Sequence, residues 1–218
     1  MVLSALLLSA PQHIKILQAR IYPCYLANKL GYFQGKMEGE NEILIRSHIL
    51  YYEEVFSQLN ARGVRYLVIG GIAVNLHGIP RMTADLDLMV DLSPANITKL
   101  IEALTLLGYS TKAPVDPNDL TDPEIRKKWQ EEKHMAVFSF YKTLIPYYQI
   151  DILLENPIDF DTAYRDRDIM GTEYLPIPVI SLRDLIQVKK LIGRKQDKAD
   201  IESLKKVKKI KREKGNNA

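Results

Sequence analysis

The sequence predicts an α+β (α/β) domain with a helical appendage at its C-terminal end, and three observations carry that expectation. Two short β-prone runs, at 65–69 and 85–91, flank a glycine-marked turn and a short helical pattern. Alternating segments at about 135–142 and 147–154 read as a hairpin, and helical patterns at about 181–193 and 197–211 follow. With 218 residues and 46% apolar content, the chain has enough material for a sizeable core.

Taken in order, residues 1–36 show no clear amphipathic period, and two readings stand for them. They are an extension ahead of a true start at Met37, or a segment that packs through Ile14, Ile16, Leu17, Ile21, Tyr22 and Tyr25. A helix is expected over about 41–61. Arg65, Tyr66, Leu67, Val68 and Ile69 then form a buried strand that stops at Gly70 and Gly71, where the backbone can turn sharply and a ligand can approach it. Ile72, Ala73, Val74 and Leu76 give a short helix at 71–77, whose first amides would face a phosphate. After the strand at 85–91, Ser93 caps a helix at 94–107 with Pro94 in its first position, and loop chemistry returns at Gly108. Pro114, Pro117 and Pro123 mark a connection that leads through Thr121, Asp122 and Glu124 into a charged helix reaching about Lys133, a segment expected to act as a mobile lid. The hairpin turns at Pro146. The expected organisation is a catalytic domain at 37–180 and a helical segment with a basic tail at 181–218, with no internal repeat.

The chemistry gathers on carboxylates. In Asp85-Leu86-Asp87-Leu88-Met89-Val90 the period is two, so both aspartates project from one face while Leu86, Leu88 and Val90 pack on the other. Hard carboxylate oxygens at this spacing suit Mg²⁺, which takes one or two protein carboxylates and binds substrate phosphates. The alternative is a strand edge protected from aggregation by charge. Asp151 interrupts the apolar alternation of Ile150, Ile152 and Leu154 and offers a third carboxylate if its strand lies beside the first, or else a cap or ion pair. Arg81 precedes the acidic strand, where it would grip a triphosphate or pair with Asp85 or Asp87. His77 caps or packs at a helix end, or takes part in the chemistry.

Net charge is +3, but residues 189–214 hold 12 Lys and Arg against 4 Asp and Glu, a local +8 that leaves −5 elsewhere. A basic tail attracts phosphate-rich partners through counterion release. The competing reading is a solvated helix face, because Ile201, Leu204, Val207 and Ile210 form an apolar stripe beneath the lysines. No apolar stretch reaches the roughly 18–20 residues of a membrane span, and the opening ten residues lack the basic region of a secretion signal. The sole cysteine, Cys24, excludes an internal disulfide and a cysteine-based zinc site, so a cytoplasmic protein without membrane partners is expected.

Ile69-Gly70-Gly71-Ile72-Ala73-Val74-Asn75-Leu76-His77-Gly78, followed by Arg81-Met82-Thr83-Ala84-Asp85-Leu86-Asp87-Leu88, resembles the nucleotidyltransferases of the DNA polymerase β superfamily. The signature there is a Gly-Gly or Gly-Ser turn, a spacer and Asp-x-Asp. The segment looks like the subgroup that contains abortive-infection-type toxins and many uncharacterised bacterial and archaeal nucleotidyltransferases. Lys189, Gly193-Arg194, Asp197 and Asp200-Ile201 resemble the pattern which that subgroup carries on its later helices, and the two matches span roughly residues 64–204. The resemblance implies a mixed β-sheet flanked by helices and transfer of a nucleoside monophosphate from an NTP to a hydroxyl-type acceptor, with pyrophosphate leaving. The acceptor is RNA such as tRNA, a protein or a small molecule, and a cognate antitoxin is an implied partner. It further implies that Gly70 and Gly71 hold the triphosphate, that Asp85, Asp87 and Asp151 bind Mg²⁺ or Mn²⁺ with Asp151 assisting deprotonation of the acceptor, and that Lys189 and Arg194 touch nucleotide or acceptor; equally, Lys189 and Arg194 could fix the helical appendage to the sheet through Asp197 or Asp200. The chain departs from the pattern at Gly71, where many superfamily members place a serine hydroxyl on a phosphate. A fold of this class that binds a nucleotide or partner without turnover is the alternative.

Overall fold

The structure, a computed structural model, describes residues 52–142 and 145–215. The expected start at Met37, the extension 1–36 and the first part of the helix at 41–61 lie outside the described residues. Tyr52 onward forms one compact unit. Its elements are α1 (Glu53–Ala61), β1 (Tyr66–Val68), α2 (Gly70–Leu76), β2 (Leu86–Val90), α3 (Pro94–Leu106), β3 (Tyr109–Thr111), a 3₁₀ turn (Pro117–Thr121) and α4 (Pro123–Lys133). They continue with β4 (Val137–Lys142), β5 (Ile145–Leu153), α5 (Phe160–Arg165), β6 (Asp168–Gly171), β7 (Pro176–Val179), α6 (Leu182–Ile192) and α7 (Lys195–Gly215).

The seven strands form one mixed sheet in the order β3-β4-β5-β2-β1-β7-β6. β2 pairs antiparallel with β1 and parallel with β5, and β1 pairs parallel with β7. The α/β class with a mixed sheet flanked by helices is therefore what the chain adopts. The interior is apolar on a strict alternation: Leu86, Leu88, Phe138, Phe140, Ile150 and Ile152 are all buried, each separated by one residue from the next along its strand. That leaves Asp87, Ser139, Gln149 and Asp151 on the opposite face, since residues directly across a strand pair share a face and Ser139 stands opposite Asp151.

Several expectations change. Ser93 occupies the N-cap of α3, but its side chain makes no capping bond there. Its backbone N–H and its hydroxyl serve Asp91 instead. Pro146 lies inside β5 rather than in the turn, next to the register irregularity at Tyr141 and Lys142. The lid expectation for 114–133 does not fit the packing. Asp122 caps α4 by accepting the Glu124 N–H, Leu120 is fully buried, and Trp129 stacks on Phe138 with ring centroids 5.2 Å apart. Phe138 belongs to the apolar face, so α4 covers the side of the sheet away from the aspartates. Short strands β3, β6 and β7 were not expected from local pattern; β6 and β7 carry Pro176, Pro178 and Gly171, which read as breakers. Helices α6 and α7 appear close to their expected bounds, with α6 ended by Gly193 at φ +69°.

Candidate active site

The site is built by three chain segments that meet at one edge of the polar face. β1 runs into Gly70, whose φ of +63° turns the chain into α2. A Cβ at Gly70 would stand 1.8 Å from Asp87 Oδ2, so only glycine lets the Asp87 carboxylate lie against this turn. The Gly71 N–H donates to that same carboxylate. In this structure the glycine pair therefore first seats an aspartate, and the Gly71 amide expected to face a phosphate is occupied by Asp87. The departure at Gly71 also has a steric reason, because a Cβ there would fall 2.6 Å from Arg81 Nη1 and from Thr83 Oγ1. A serine does not fit without moving Thr83.

β5 brings the third carboxylate. In the parallel ladder Asp87 pairs in register with Asp151, with Leu86 opposite Ile150 and Leu88 opposite Ile152. Asp85 lies just before β2, exposed to solvent. Tyr52 stitches the two strands from below: its fully buried hydroxyl donates to the Ala84 carbonyl oxygen at 2.7 Å and lies 3.1 Å from that of Gln149. Asp151 is nine-tenths buried, and its Oδ1 accepts from Ser139 Oγ at 2.6 Å and Gln149 Nε2 at 2.7 Å.

The charges are unbalanced at this edge. Burial, then the neighbouring Asp151, pushes the Asp87 carboxyl up to about 6, against the opposing charge of Arg194 and the Gly71 amide bond. The Asp85 carboxyl, exposed yet partly shielded from water by its neighbours, is raised by that desolvation and by Asp151, and Lys112 opposes the rise. Asp85 and Asp87, each raised by the neighbouring Asp151 as well as by desolvation, store repulsion that a cation relieves. Among the described residues no three His, Cys, Asp or Glu side chains converge into a ready-made cage. Asp87 and Asp151, in register on neighbouring strands, are two carboxylates that could share a hard cation with water and phosphate oxygens.

The cationic residues divide. Arg81 does not pair with Asp85 or Asp87: its Nη1 lies 3.5 Å from Asp200 Oδ2. Its Nε and the Nδ2 of buried Asn75 find no acceptor among the described residues, while the Arg81 N–H donates to Asn75 Oδ1 at 2.7 Å. Lys189 is 2% exposed, and its Nζ donates to Asp197 Oδ1 at 3.0 Å and to Asp200 Oδ2 at 2.7 Å. It locks α6 to α7, and its charge is spent inside the protein rather than offered to a nucleotide. Burial alone would raise the Asp197 carboxyl, but Lys189 and the Arg194 amide more than offset it and hold it below its ordinary value. Arg194 differs from Lys189. Its side chain is 64% exposed, its Nε lies 3.4 Å from Asp197, and its charge reaches Asp87. The chain of pairs from Arg81 through Asp200, Lys189 and Asp197 to Arg194 thus ties the glycine turn to the later helices. His77 packs as a helix-end residue, with Nε2–H donating to the Ile180 carbonyl at 2.9 Å.

Along α7 the apolar stripe fades: Leu204 is fully buried, Ile201 and Val207 are half-buried, and Ile210 is 51% exposed. Lys205, Lys206 and Lys209 are exposed, as a solvated face requires. Among the described residues no helix is long and apolar enough to cross a membrane. Local pattern gave no reason to select Tyr52, Lys112, Ser139 or Gln149. The one signal was that Ser139 and Gln149 are polar residues inside apolar strands, as Asp151 is.

No protein-family model matches the chain, and no curated protein matches it. Among solved structures, the lincosamide antibiotic adenylyltransferase LnuA with lincomycin bound aligns at 18% identity and a TM-score of 0.47, covering 72% of this chain and 95% of that one. ANT(2")-Ia in complex with adenylyl-2"-tobramycin aligns at 12% identity and a TM-score of 0.45, covering 77% of this chain and 98% of that one. Likeness at this level assigns neither an activity nor a residue role.

Proposed function

We propose that this protein is a nucleotidyltransferase that moves a nucleoside monophosphate from an NTP to an acceptor hydroxyl, with a divalent cation held by Asp87 and Asp151 and with Asp85 adding negative charge beside them. The observation that carries the reading is the register of Asp87 against Asp151 across parallel strands, on the polar face and beside the glycine turn. In the reaction, the acceptor oxygen forms a bond to the α-phosphorus of the NTP. The bond from that phosphorus to the bridging oxygen breaks, and pyrophosphate leaves with the electron pair. Asp151, whose Oδ1 is occupied by Ser139 and Gln149, has Oδ2 free of hydrogen bonds among the described residues and takes the hydroxyl proton there. Mg²⁺, when bound, neutralises the triphosphate and the charge that develops on the leaving group. Arg194 contributes positive charge at Asp87, and Arg81, whose Nη1 lies beside Gly71, adds a second cation near the glycine turn. Gly70 and Gly71 shape the turn that brings Asp87 and the backbone to the triphosphate. Lys189 supports the site by fixing α6 and α7, not by touching the nucleotide. The residues do little covalent work, so catalysis is positioning and charge compensation.

Purified protein incubated with each α-labelled NTP, Mg²⁺ and RNA, protein or aminoglycoside- and lincosamide-type acceptors tests the reading. Label that moves to one acceptor class in the wild type and not in Asp87→Ala supports it and identifies base and acceptor. If no acceptor is labelled while the wild type binds nucleotide, the fold serves as a binding module instead.

A further inference from the structure

Asp151 is held by a closed ring of four residues, and the ring is a consequence of strand pairing. Ser139 stands directly across from Asp151 on β4, and Gln149 precedes Asp151 by two on β5, so all three side chains share one face. Ser139 Oγ and Gln149 Nε2 both donate to Asp151 Oδ1, at 2.6 and 2.7 Å. Gln149 Oε1 in turn accepts from Lys112 Nζ at 2.9 Å, and the Lys112 backbone N–H donates to the Ser139 carbonyl at 3.0 Å, which closes the ring. The chemistry of each member dictates its orientation. A lysine ammonium has only donors, so Gln149 must turn its amide oxygen to Lys112 and its NH₂ to Asp151. A glutamine between the two also keeps the ammonium from pairing with Asp151 and spending its charge.

We infer that Ser139 and Gln149, with Lys112 fixing the glutamine amide, are positioning residues that clamp Oδ1 of Asp151 and present Oδ2 alone to the cation and the acceptor hydroxyl. The inference rests on the nucleotidyltransferase reading for the step that Oδ2 performs, but the clamp itself does not depend on that reading. Loss of either clamp lets the carboxylate rotate, and loss of an orienting partner of this kind costs about 10- to 100-fold in metal affinity or activity.

The test uses the full chain with Ser139→Ala, Ser139→Thr, Gln149→Leu and Asp151→Asn. Two readouts run side by side: Mn²⁺ affinity by electron paramagnetic resonance with the metal alone, and kcat and KM for the NTP in the transfer assay. Thermal melts confirm folding of each variant. The expected result for Ser139→Ala and Gln149→Leu is about a tenfold or greater drop in kcat and weaker Mn²⁺ binding, with KM for the NTP unchanged, because positioning rather than nucleotide binding is lost. Ser139→Thr keeps the hydroxyl and should restore both. Wild-type Mn²⁺ affinity and kcat in Ser139→Ala and Gln149→Leu, or a threonine no better than alanine, overturns the clamp. If one of the two variants melts below the assay temperature, the other and the threonine comparison decide. A wild type that transfers nothing ends the nucleotidyltransferase reading alone, and the Mn²⁺ titration then decides the clamp.

Discussion

Replacing Asp87 with asparagine is expected to stabilise the metal-free protein at neutral pH while abolishing transfer. The folded state raises this carboxyl from 3.8 to about 6, which means that it binds its proton more tightly than the unfolded chain does. Below about pH 4 both states are protonated and the site costs nothing; between about 4 and 6 the folded state keeps the proton that the unfolded chain gives up. Above that window the folded protein carries a charge that burial and Asp151 disfavour, so stability falls as pH rises through it. A shift of this size is worth about 3 kcal/mol at most, and because the side chain is only partly buried, solvent screening brings the expected gain to about 1–3 kcal/mol. For a chain of this size that is about 3–9 °C in melting temperature. Asparagine retains an oxygen for the Gly71 N–H, so the exchange removes the charge and little else. Differential scanning calorimetry in EDTA at pH 7.5 and pH 4 measures the effect. A variant less stable than wild type at pH 7.5, or a gain of equal size at pH 4, would refute the account of stored repulsion.

Three further outcomes follow from named contacts. Gly70→Ala places a Cβ 1.8 Å from Asp87 Oδ2 at a positive φ, so it should displace that carboxylate, lower stability by about 1–3 kcal/mol and remove Mn²⁺ binding, as read by urea denaturation and metal titration. Lys189→Met removes the buried cation shared by Asp197 and Asp200, leaving them only the longer pairs with Arg194 and Arg81, and should cost about 3–5 kcal/mol in urea unfolding; adding Asp197→Asn and Asp200→Asn to the same chain should recover part of that loss. Tyr52→Phe removes the buried hydroxyl that bridges the approach to β2 at Ala84 and the middle of β5 at Gln149, and should cost about 1–3 kcal/mol with a fall in transfer rate larger than any change in NTP affinity.

Much of this protein is legible along the chain because the relevant signals are local. The two-residue period at Asp85 to Val90, the halt of a strand at Gly70 and the Pro94 and Gly193 boundaries each depend on a few neighbouring residues. What local pattern misses has a common cause. β6 and β7 are short and rich in proline and glycine, and the pairing of β7 with β1 stabilises what propensity does not. Ser93 fits the capping preference, yet Asp91 competes for its hydroxyl.

The sequence by itself determined that carboxylates would project from one face of a strand after a glycine turn, since side-chain direction in a strand follows from backbone geometry alone. It left open whether Asp151 would join them, where Arg81 would point and whether Lys189 would be free. Only the tertiary structure decided these, by setting Asp151 in register with Asp87, pairing Arg81 with Asp200 and burying Lys189 between two aspartates of the next helix. The Asp87–Asp151 register and the Arg81–Asp200 pair join residues tens of positions apart, and Lys189 meets its aspartates only once α6 and α7 fold together, so all are fixed by tertiary packing and by the need to compensate each buried charge.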